Sequence, residues 1–535
     1  MLLAAVLVID IAAWPALWAE MGASLFLRVI AAFAVLAGAL LCAALVQNVV
    51  LRWTYGLVLA LGAWMVLGYR FSVGTATSYF DFVTVVDARS SLIDAFALHW
   101  LGLLAAGGAA LLTALAISLK PPPTARRLAV LVALIPIVAG AGIISLLVER
   151  NGQGRGIPAS WQGIGYAGLY VVDSFHGLAG ARSDVTIMAN SAPPDRDIIL
   201  IVDESVSANY LDLNAVGGAY SGLAMKRPNW STRDFGIAAS MTNCSMTTNV
   251  GLRFGAGRED FQRKIARAPS IWAYARNAGM RTVYIYGQRG GLNENYMTDA
   301  ERELIDEEIY FDDIALVQRD QYIADELARR LNNGKPEFIL ASKAGAHFPL
   351  TGMYPAGGGR FMPEADISTL SKDEQFWKLY RNNYRNALDW SVGAFFDRLF
   401  SEAGQNPDTA MIIYTSDHGQ TFYEHEDPGS ITHCRKDAAM EEGAVPLVVL
   451  ETGTQLDKNP KRDSNSHYQI FPELLLAMGY RVDDVVRDYG QGLGGGADDP
   501  MKFAVQMHLR LGIPPGWVKI EPEEVFRPPD RAETD

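Results

Sequence analysis

The chain has 535 residues, 50% of them hydrophobic, with 46 Lys and Arg against 59 Asp and Glu for a formal charge of −13. That length leaves room for several structural units. The acidic balance argues against a nucleic-acid partner and suits a solvated, exported domain.

The apolar excess lies in the first third. Residues 1–19, 25–47, 52–70, 95–119 and 127–148 each approach the roughly 20 apolar residues that cross a bilayer, so five transmembrane helices are expected within a membrane domain over residues 1–149. Asp10 interrupts the first, for which a cleaved signal sequence is the competing reading. No positively charged segment precedes it, which favours a retained helix. Arg52 in one connection and Lys120, Arg126 and Arg127 in another mark the cytoplasmic side. The amino terminus is then inside and everything after residue 150 outside. Residues 71–94 mix aromatic and charged side chains and read as an interfacial segment on the exported face.

Residues 150–196 are rich in Gly, Ser and Pro and are expected to be a linker. From 197 to 520, short β-branched runs alternate with longer amphipathic stretches, the pattern of an α/β domain. Strands are expected at 198–202, 282–286, 338–342, 411–415 and 445–450, and helices at 271–278, 320–331, 375–401 and 470–478. Tyr384, Leu388, Val392, Phe396 and Phe400 recur every four residues along the long helix and form one apolar face. Residues 521–535 read as a loose charged tail.

Chemistry gathers where strands end. The apolar run before residue 203 finishes in Asp203, Glu204 and Ser205, and the run from Ala410 to Ser416 finishes in Asp417, His418 and Gly419. In a parallel sheet both ends share the edge where α/β domains place their sites, and carboxylate with imidazole suits a divalent cation. Between them, residues 241–251 are dense in hydroxyl groups. A threonine alcohol becomes a nucleophile when a cation held by Glu204, Asp417 and His418 stabilises its alkoxide. His347 follows another strand end. Of eight histidines, His347, His418, His425, His433 and His467 all lie in this part of the chain. Of three cysteines, Cys42 falls within the second span, while Cys244 and Cys434 lie in the exported part, where one disulfide is permitted.

These motifs resemble the membrane-bound phosphoethanolamine transferases of the alkaline phosphatase and sulfatase superfamily, over nearly the whole chain. Val-Asp-Glu-Ser (202–205) is similar to the family's Val-Gly-Glu-Thr, Cys-Ser-Met-Thr-Thr (244–248) to Cys-Gly-Thr-Ser-Thr, and Thr-Ser-Asp-His-Gly (415–419) to its metal motif. The resemblance implies an α-helical membrane domain of five helices followed by an α/β alkaline phosphatase/sulfatase-like catalytic domain. It implies Zn2+, with Mn2+ as the alternative, on Glu204, Thr248, Asp417 and His418, with Thr248 as nucleophile. His347 in Ala-Gly-Ala-His-Phe and His433 in Thr-His-Cys correspond to substrate histidines, with His425 as the alternative to His433. Ser-His-Tyr-Gln-Ile-Phe (466–471) resembles the family's Ser-His-Asp-Asn-Leu-Phe.

The implied reaction moves phosphoethanolamine from phosphatidylethanolamine to a hydroxyl or phosphate of an envelope lipid or glycan such as lipid A. It runs through a phosphothreonine, in a monomer of the bacterial inner membrane with its catalytic domain in the periplasm. Two departures widen that reading. The chain has Gly-Leu-Arg-Phe where lipid A enzymes carry Ser-Val-Pro-Cys-Met-Phe, and Ala-His-Phe-Pro-Leu (346–350) is close to the Asn-His-Phe-Pro-Phe of lipoteichoic acid synthases. Phosphoglycerol transfer from phosphatidylglycerol, or a membrane-anchored phosphodiesterase or phosphatase, are therefore the alternatives. The Cys-x-Pro-x-Arg or Ser-x-Pro-x-Arg motif of true sulfatases is absent.

Overall fold

The computed structural model describes the chain apart from residues 1, 12–13, 74–75, 88–91, 124–125, 151, 177–181, 289–295, 349, 351, 366–375, 426–430, 436, 454–459, 494, 496–497, 508–513 and 531–535. It divides into two compact units, Met1–Gly177 and Leu178–Asp535.

The first unit is helical: α1 (Leu2–Ile11), α2 (Trp14–Leu45), α3 (Val49–Val73), α4 (Tyr79–Asp87), α5 (Leu92–Ser118), α6 (Arg126–Glu149) and α7 (Ala159–His176). Among the described residues four stretches are long and apolar enough to cross a membrane: Phe26–Leu45, Val49–Ser72, His99–Ser118 and Leu128–Glu149. Among the described residues, the first expected span holds the first six residues of α2 and, before them, the ten-residue α1, about half the length a bilayer core demands. Its Asp10 has a structural task, accepting the buried Ala159 N–H at the first turn of α7 (3.1 Å). There a carboxylate satisfies an orphan donor and meets the positive helix end. Arg52 is likewise buried, donating to the carbonyls of Val46 (2.7 Å) and Ser118 (3.3 Å) at the ends of α2 and α5. Its charge thus caps two helix C-termini.

The expected linker is not structureless. Its first part forms α7, with Trp161 and Tyr166 buried. Its small residues let that helix approach α3 closely, since a Cβ on Gly163 would come within 2.4 Å of the Gly62 backbone. In the second unit, Ile187 joins the main core.

That second unit is built on an eight-stranded sheet. Its strands are β1 (Asp197–Asp203), β2 (Trp230–Ala239), β3 (Arg281–Tyr286), β4 (Glu307–Tyr310), β5 (Glu337–Ser342), β6 (Ala410–Ser416), β9 (Ala444–Thr452) and β10 (Asn465–Ser466). A hairpin of β7 (Thr421–Phe422) and β8 (Ile431–Thr432) stands apart from it. The order is β10-β2-β9-β6-β1-β5-β3-β4. Strands β6, β1, β5, β3 and β4 are parallel, and β9 runs antiparallel to β6 and β2. Strands β1, β5 and β6 are buried along their whole length, which accounts for continuous rather than alternating apolar runs.

The expected helix over 375–401 is described from Trp377 and is interrupted. Trp377–Leu388 and Phe395–Ala403 are α-helical, while Asp389–Ala394 widens into a π turn. The widening leaves the Ser391 carbonyl to accept from the buried Lys343 ammonium. The expected loose tail is in fact packed over residues 521–530. Val525 is in a core cluster with Ile520 and Phe503, Phe526 lies 5.9 Å from the Tyr210 ring, and Arg385 Nη2 donates to the Pro529 carbonyl (3.0 Å).

Candidate active site

Strands β1 and β6 run in register to their last residues, Asp203 opposite Ser416, and the Asp417 N–H continues the ladder to the Asp203 carbonyl (2.9 Å). The next side chains therefore meet. Glu204, Asp417 and His418 are all buried, each offering a ligand atom within 4.8 Å of the others. His418 Nδ1 lies 2.7 Å from the Gly419 carbonyl. A carbonyl only accepts, so the proton belongs on Nδ1 and the Nε2 lone pair faces inward. Nε2 is 3.6 Å from both Glu204 Oε1 and Asp417 Oδ2.

The outer oxygens are fixed and one inner oxygen is not. Asp417 Oδ1 accepts from the N–H groups of Ser205 (3.0 Å) and His418 (2.7 Å), and Glu204 Oε2 accepts from Gln288 Nε2 (2.9 Å). Asp417 Oδ2 is buried without a hydrogen-bond partner. Burial, then the neighbouring Asp417 carboxylate, pushes the Glu204 carboxyl well above its ordinary range. An orphaned oxygen, a second carboxylate and a neutral imidazole lone pair fit a divalent cation, which would relieve both the desolvation and the like-charge contact.

Behind the group lies a buried ion pair. Lys343 Nζ is 2.5 Å from Asp203 Oδ2 with neither side chain exposed, and the ammonium lies 4.2 Å from the Phe395 ring centroid. Asp320 accepts from the N–H groups of Ala344 (2.7 Å) and Gly345 (3.1 Å), while the Ala346 N–H donates to the Glu204 carbonyl (2.9 Å). The loop after β5 is thereby clamped to Glu204 and delivers His347. Gly345 has φ +62°, and a Cβ there would sit 2.3 Å from the Glu204 carbonyl oxygen. Gly345→Ala is expected to displace Glu204 and weaken divalent-cation binding at this group at least about tenfold. A zinc titration beside circular dichroism would check this, and unchanged affinity would refute it.

Two hydroxyls reach the group: Ser205 Oγ donates to Glu204 Oε1 (2.6 Å), and the other, which also meets His418, belongs to Ser245. Helix α8 (Ser245–Phe254) begins there, with Cys244 at the N-cap position. Ser245 Oγ lies 3.0 Å from His418 Nε2 and 3.3 Å from Glu204 Oε1. The first turn of a helix leaves its N–H groups without intrahelical partners and carries the positive end of the dipole, a ready place for a phosphoryl oxygen. Thr248, the expected nucleophile and ligand, does not join this group. It is fully buried one turn further on. Its Oγ1 donates to the Thr242 carbonyl (3.1 Å) and accepts from the Thr242 N–H (3.2 Å).

Of the remaining histidines, His433 and His347 approach the group. The His433 ring centroid is 4.1 Å from that of His418 and 5.6 Å from that of His347. Burial of the ring, then the neighbouring imidazoles of His418 and His347, holds His433 well below the usual histidine range. Gln420 Oε1 lies 3.4 Å from its Nδ1. His425, the alternative, is exposed and turned to Glu441 Oε1 (2.9 Å). His467 is buried between the Met241 N–H (3.2 Å) and Thr415 Oγ1 (2.9 Å) and is pushed down to about 3, which makes it a neutral strut.

Cys244 and Cys434 form a disulfide. The segment around His433 is also held by the Cys434 N–H to the Asn243 carbonyl (3.0 Å) and by Asn243 Nδ2 to the Arg435 carbonyl (2.9 Å). Thr432 and Cys434, on either side of His433, have left-handed backbones, φ 89° and 69°. Such residues cost on the order of 1–3 kcal/mol each, whereas the two hydrogen bonds just named return about 1 kcal/mol each. The covalent link therefore weighs heavily in keeping this conformation.

The sequence model of the sulfatase family matches residues 196–480, more than half of the chain. The chain belongs to the sulfatase family. The matched span contains Glu204, Ser245, His347, Asp417, His418 and His433, so the assembled site lies wholly inside the sulfatase domain. No curated protein matches this sulfatase-family chain. Among solved structures, it is similar to the integral membrane protein lipooligosaccharide phosphoethanolamine transferase A (EptA) of Neisseria meningitidis. The TM-score is 0.60 at 16% identity, over 84% of this chain and 88% of that one. The C-terminal periplasmic domain of EptC from Escherichia coli gives a TM-score of 0.50 at 16% identity, over 61% of this chain and 93% of that one. The sulfatase-family protein thus shares with EptA a fold of apolar helices followed by an α/β domain.

Proposed function

We propose that the protein is a membrane-embedded phosphotransferase that moves phosphoethanolamine from phosphatidylethanolamine to a hydroxyl or phosphate of an envelope lipid or glycan. The observation that carries this reading is Ser245 Oγ at a helix N-terminus, 3.0 Å from His418 Nε2 and 3.3 Å from Glu204 Oε1, beside an orphaned Asp417 oxygen. The four helices among the described residues that are able to cross a membrane suit a donor whose phosphate lies at headgroup level. The basic residues Arg52, Lys120, Arg126 and Arg127 support a catalytic unit on the side away from the cytoplasm, the periplasm of a double-membrane bacterium.

Glu204, Asp417 and His418 would hold Zn2+. A bound zinc ion supplies positive charge that lowers the alcohol pKa of the nucleophile and offsets phosphate charge. Ser245 Oγ forms a bond to phosphorus as the bond to diacylglycerol breaks, and the proton lost by the serine ends on the diacylglycerol oxygen. His433, neutral and next to His418, is the group assigned to carry that proton. His347 and the first N–H groups of α8 face the nonbridging oxygens. The acceptor oxygen then displaces Ser245 from phosphorus and the serine regains a proton. Thr248 is the second reading for the nucleophile, favoured by its place four residues after Cys244 in the family-like motif.

The test gives the full-length protein phosphatidylethanolamine or phosphatidylglycerol in mixed micelles and measures the mass of the trapped covalent adduct. A phosphoethanolamine adduct is expected. A phosphoglycerol adduct would transfer the assignment to the phosphatidylglycerol-dependent alternative suggested by Ala346-His347-Phe348. Release of the headgroup without any adduct would indicate a phosphodiesterase.

A further inference from the structure

Cys244 immediately precedes Ser245, and Cys434 immediately follows His433. The disulfide joining them, with Cα atoms 4.8 Å apart across 190 residues of sequence, therefore ties the nucleophile's turn directly to the histidine's loop. Three further observations point the same way. Cys244 occupies the N-cap position of α8, one residue before Ser245, at the fixed end of the link. The hairpin leading to His433 is short, β7 and β8 having two residues each. Left-handed backbones at Thr432 and Cys434 bracket the histidine in a conformation that L residues leave readily when released.

From this juxtaposition we infer that the Cys244–Cys434 disulfide is a positioning element of the active site, fixing His433 against Ser245. The inference rests on the phosphotransfer reading above. It separates two jobs within one domain. Glu204, Asp417 and His418 are placed by the ends of β1 and β6 and need no crosslink. His433 reaches the same group from the loop after β8 and does need one. Opening the disulfide should therefore leave metal binding intact while slowing the chemical step, because a displacement of about 1 Å at a proton-carrying group costs on the order of 100-fold in rate.

The experiment is a double-mutant cycle on the full-length, zinc-loaded protein in detergent, reading kcat, KM and zinc content with a chromogenic phosphodiester. Cys434→Ala is expected to lower kcat about 10- to 100-fold, with KM and zinc stoichiometry little changed. In a His433→Ala background the same substitution should change kcat less than about twofold, since its effect passes through His433. An equal loss in both backgrounds would show a general loosening of the domain and overturn the inference, as would no loss in either.

If Cys434→Ala does not yield protein with a zinc-dependent thermal shift, the cycle is repeated on folded wild type and His433→Ala by adding a water-soluble phosphine. The disulfide takes up two electrons and two protons to give two thiols, and the phosphine becomes its oxide with an oxygen from water. Ser245→Ala runs alongside. Full turnover in that variant would remove Ser245 from the mechanism, and with it the assignment on which the inference rests, an outcome distinct from additivity in the cysteine cycle.

Discussion

Ser245→Ala is expected to lower phosphoryl transfer by at least about 1,000-fold, because loss of a covalent nucleophile removes the entire first displacement rather than weakening it. Thr248→Ala should behave differently. Its hydroxyl is buried against the backbone of Thr242, so removal leaves a donor and an acceptor unpaired and costs about 1–3 kcal/mol of stability. Turnover should stay within about tenfold of wild type, since a deletion one turn along α8 acts on the reaction only through the helix. Kinetics on a chromogenic phosphodiester, thermal melts, and fragmentation of the trapped phosphopeptide over residues 244–254 separate the two. Full activity in Ser245→Ala, or a phosphoryl group on Thr248, would return the nucleophile to the position that the family-like motif suggests.

That contrast marks where the sequence stops being legible. Strands β1 and β6 are readable because each is buried on both faces, so its apolar run is continuous and breaks off at once into acid, or acid and histidine, where the strand leaves the core. The residues after those runs, Glu204, Asp417 and His418, meet in space for the same reason. Ser245 cannot be chosen over Thr248 on composition, because all that separates them is which hydroxyl falls at the first residue of α8. That is set by the extended backbone at Cys244, after which the helix starts, and by Thr242 capturing Thr248. Strand β2 is hidden by a register shift between Asp234 and Ile237, with Gly236 at φ +76° between them, which breaks the alternation a strand would show. Gln288 and Gln420 carry no signal of their own. They matter through one hydrogen bond to Glu204 and one approach to His433.

The segment read as a linker shows the opposite failure. Glycines at 163, 165 and 168 suggest flexibility in the sequence, yet in α7 they are contact residues, and a Cβ on Gly165 would meet the Ile143 side chain at 2.4 Å. Small residues are what allow helices of a membrane-crossing unit to pack closely. Composition alone does not distinguish that use from a tether. The tail misleads similarly, since its charge dominates while Val525 and Phe526 supply the packing.

Asp417→Asn is expected to abolish turnover, by more than about 1,000-fold, while leaving the metal-free protein as stable as wild type or more so. The two effects have opposite origins. Asparagine keeps an oxygen for the Ser205 and His418 N–H groups that Asp417 Oδ1 now satisfies, and its NH2 replaces an orphaned oxygen 3.6 Å from His418 Nε2. A neutral donor there can pair with Glu204 and removes the second largest cause of its raised pKa, the Asp417 charge. In the metal-free state the substitution therefore relieves a buried like-charge contact. With zinc, the same change deletes an anionic ligand. Wild type should gain about 4 kcal/mol of stability at zinc concentrations near 1,000 times Kd, by mass action. The variant should gain far less. Thermal melts in chelator and in zinc, with zinc content measured on the same samples, read both arms. Chelated wild type should lose activity and regain it on zinc addition. Retained zinc stabilisation in Asp417→Asn would exclude Asp417 as a ligand, and a marked fall in its metal-free melting temperature would mean that the carboxylate stabilises the fold without any cation.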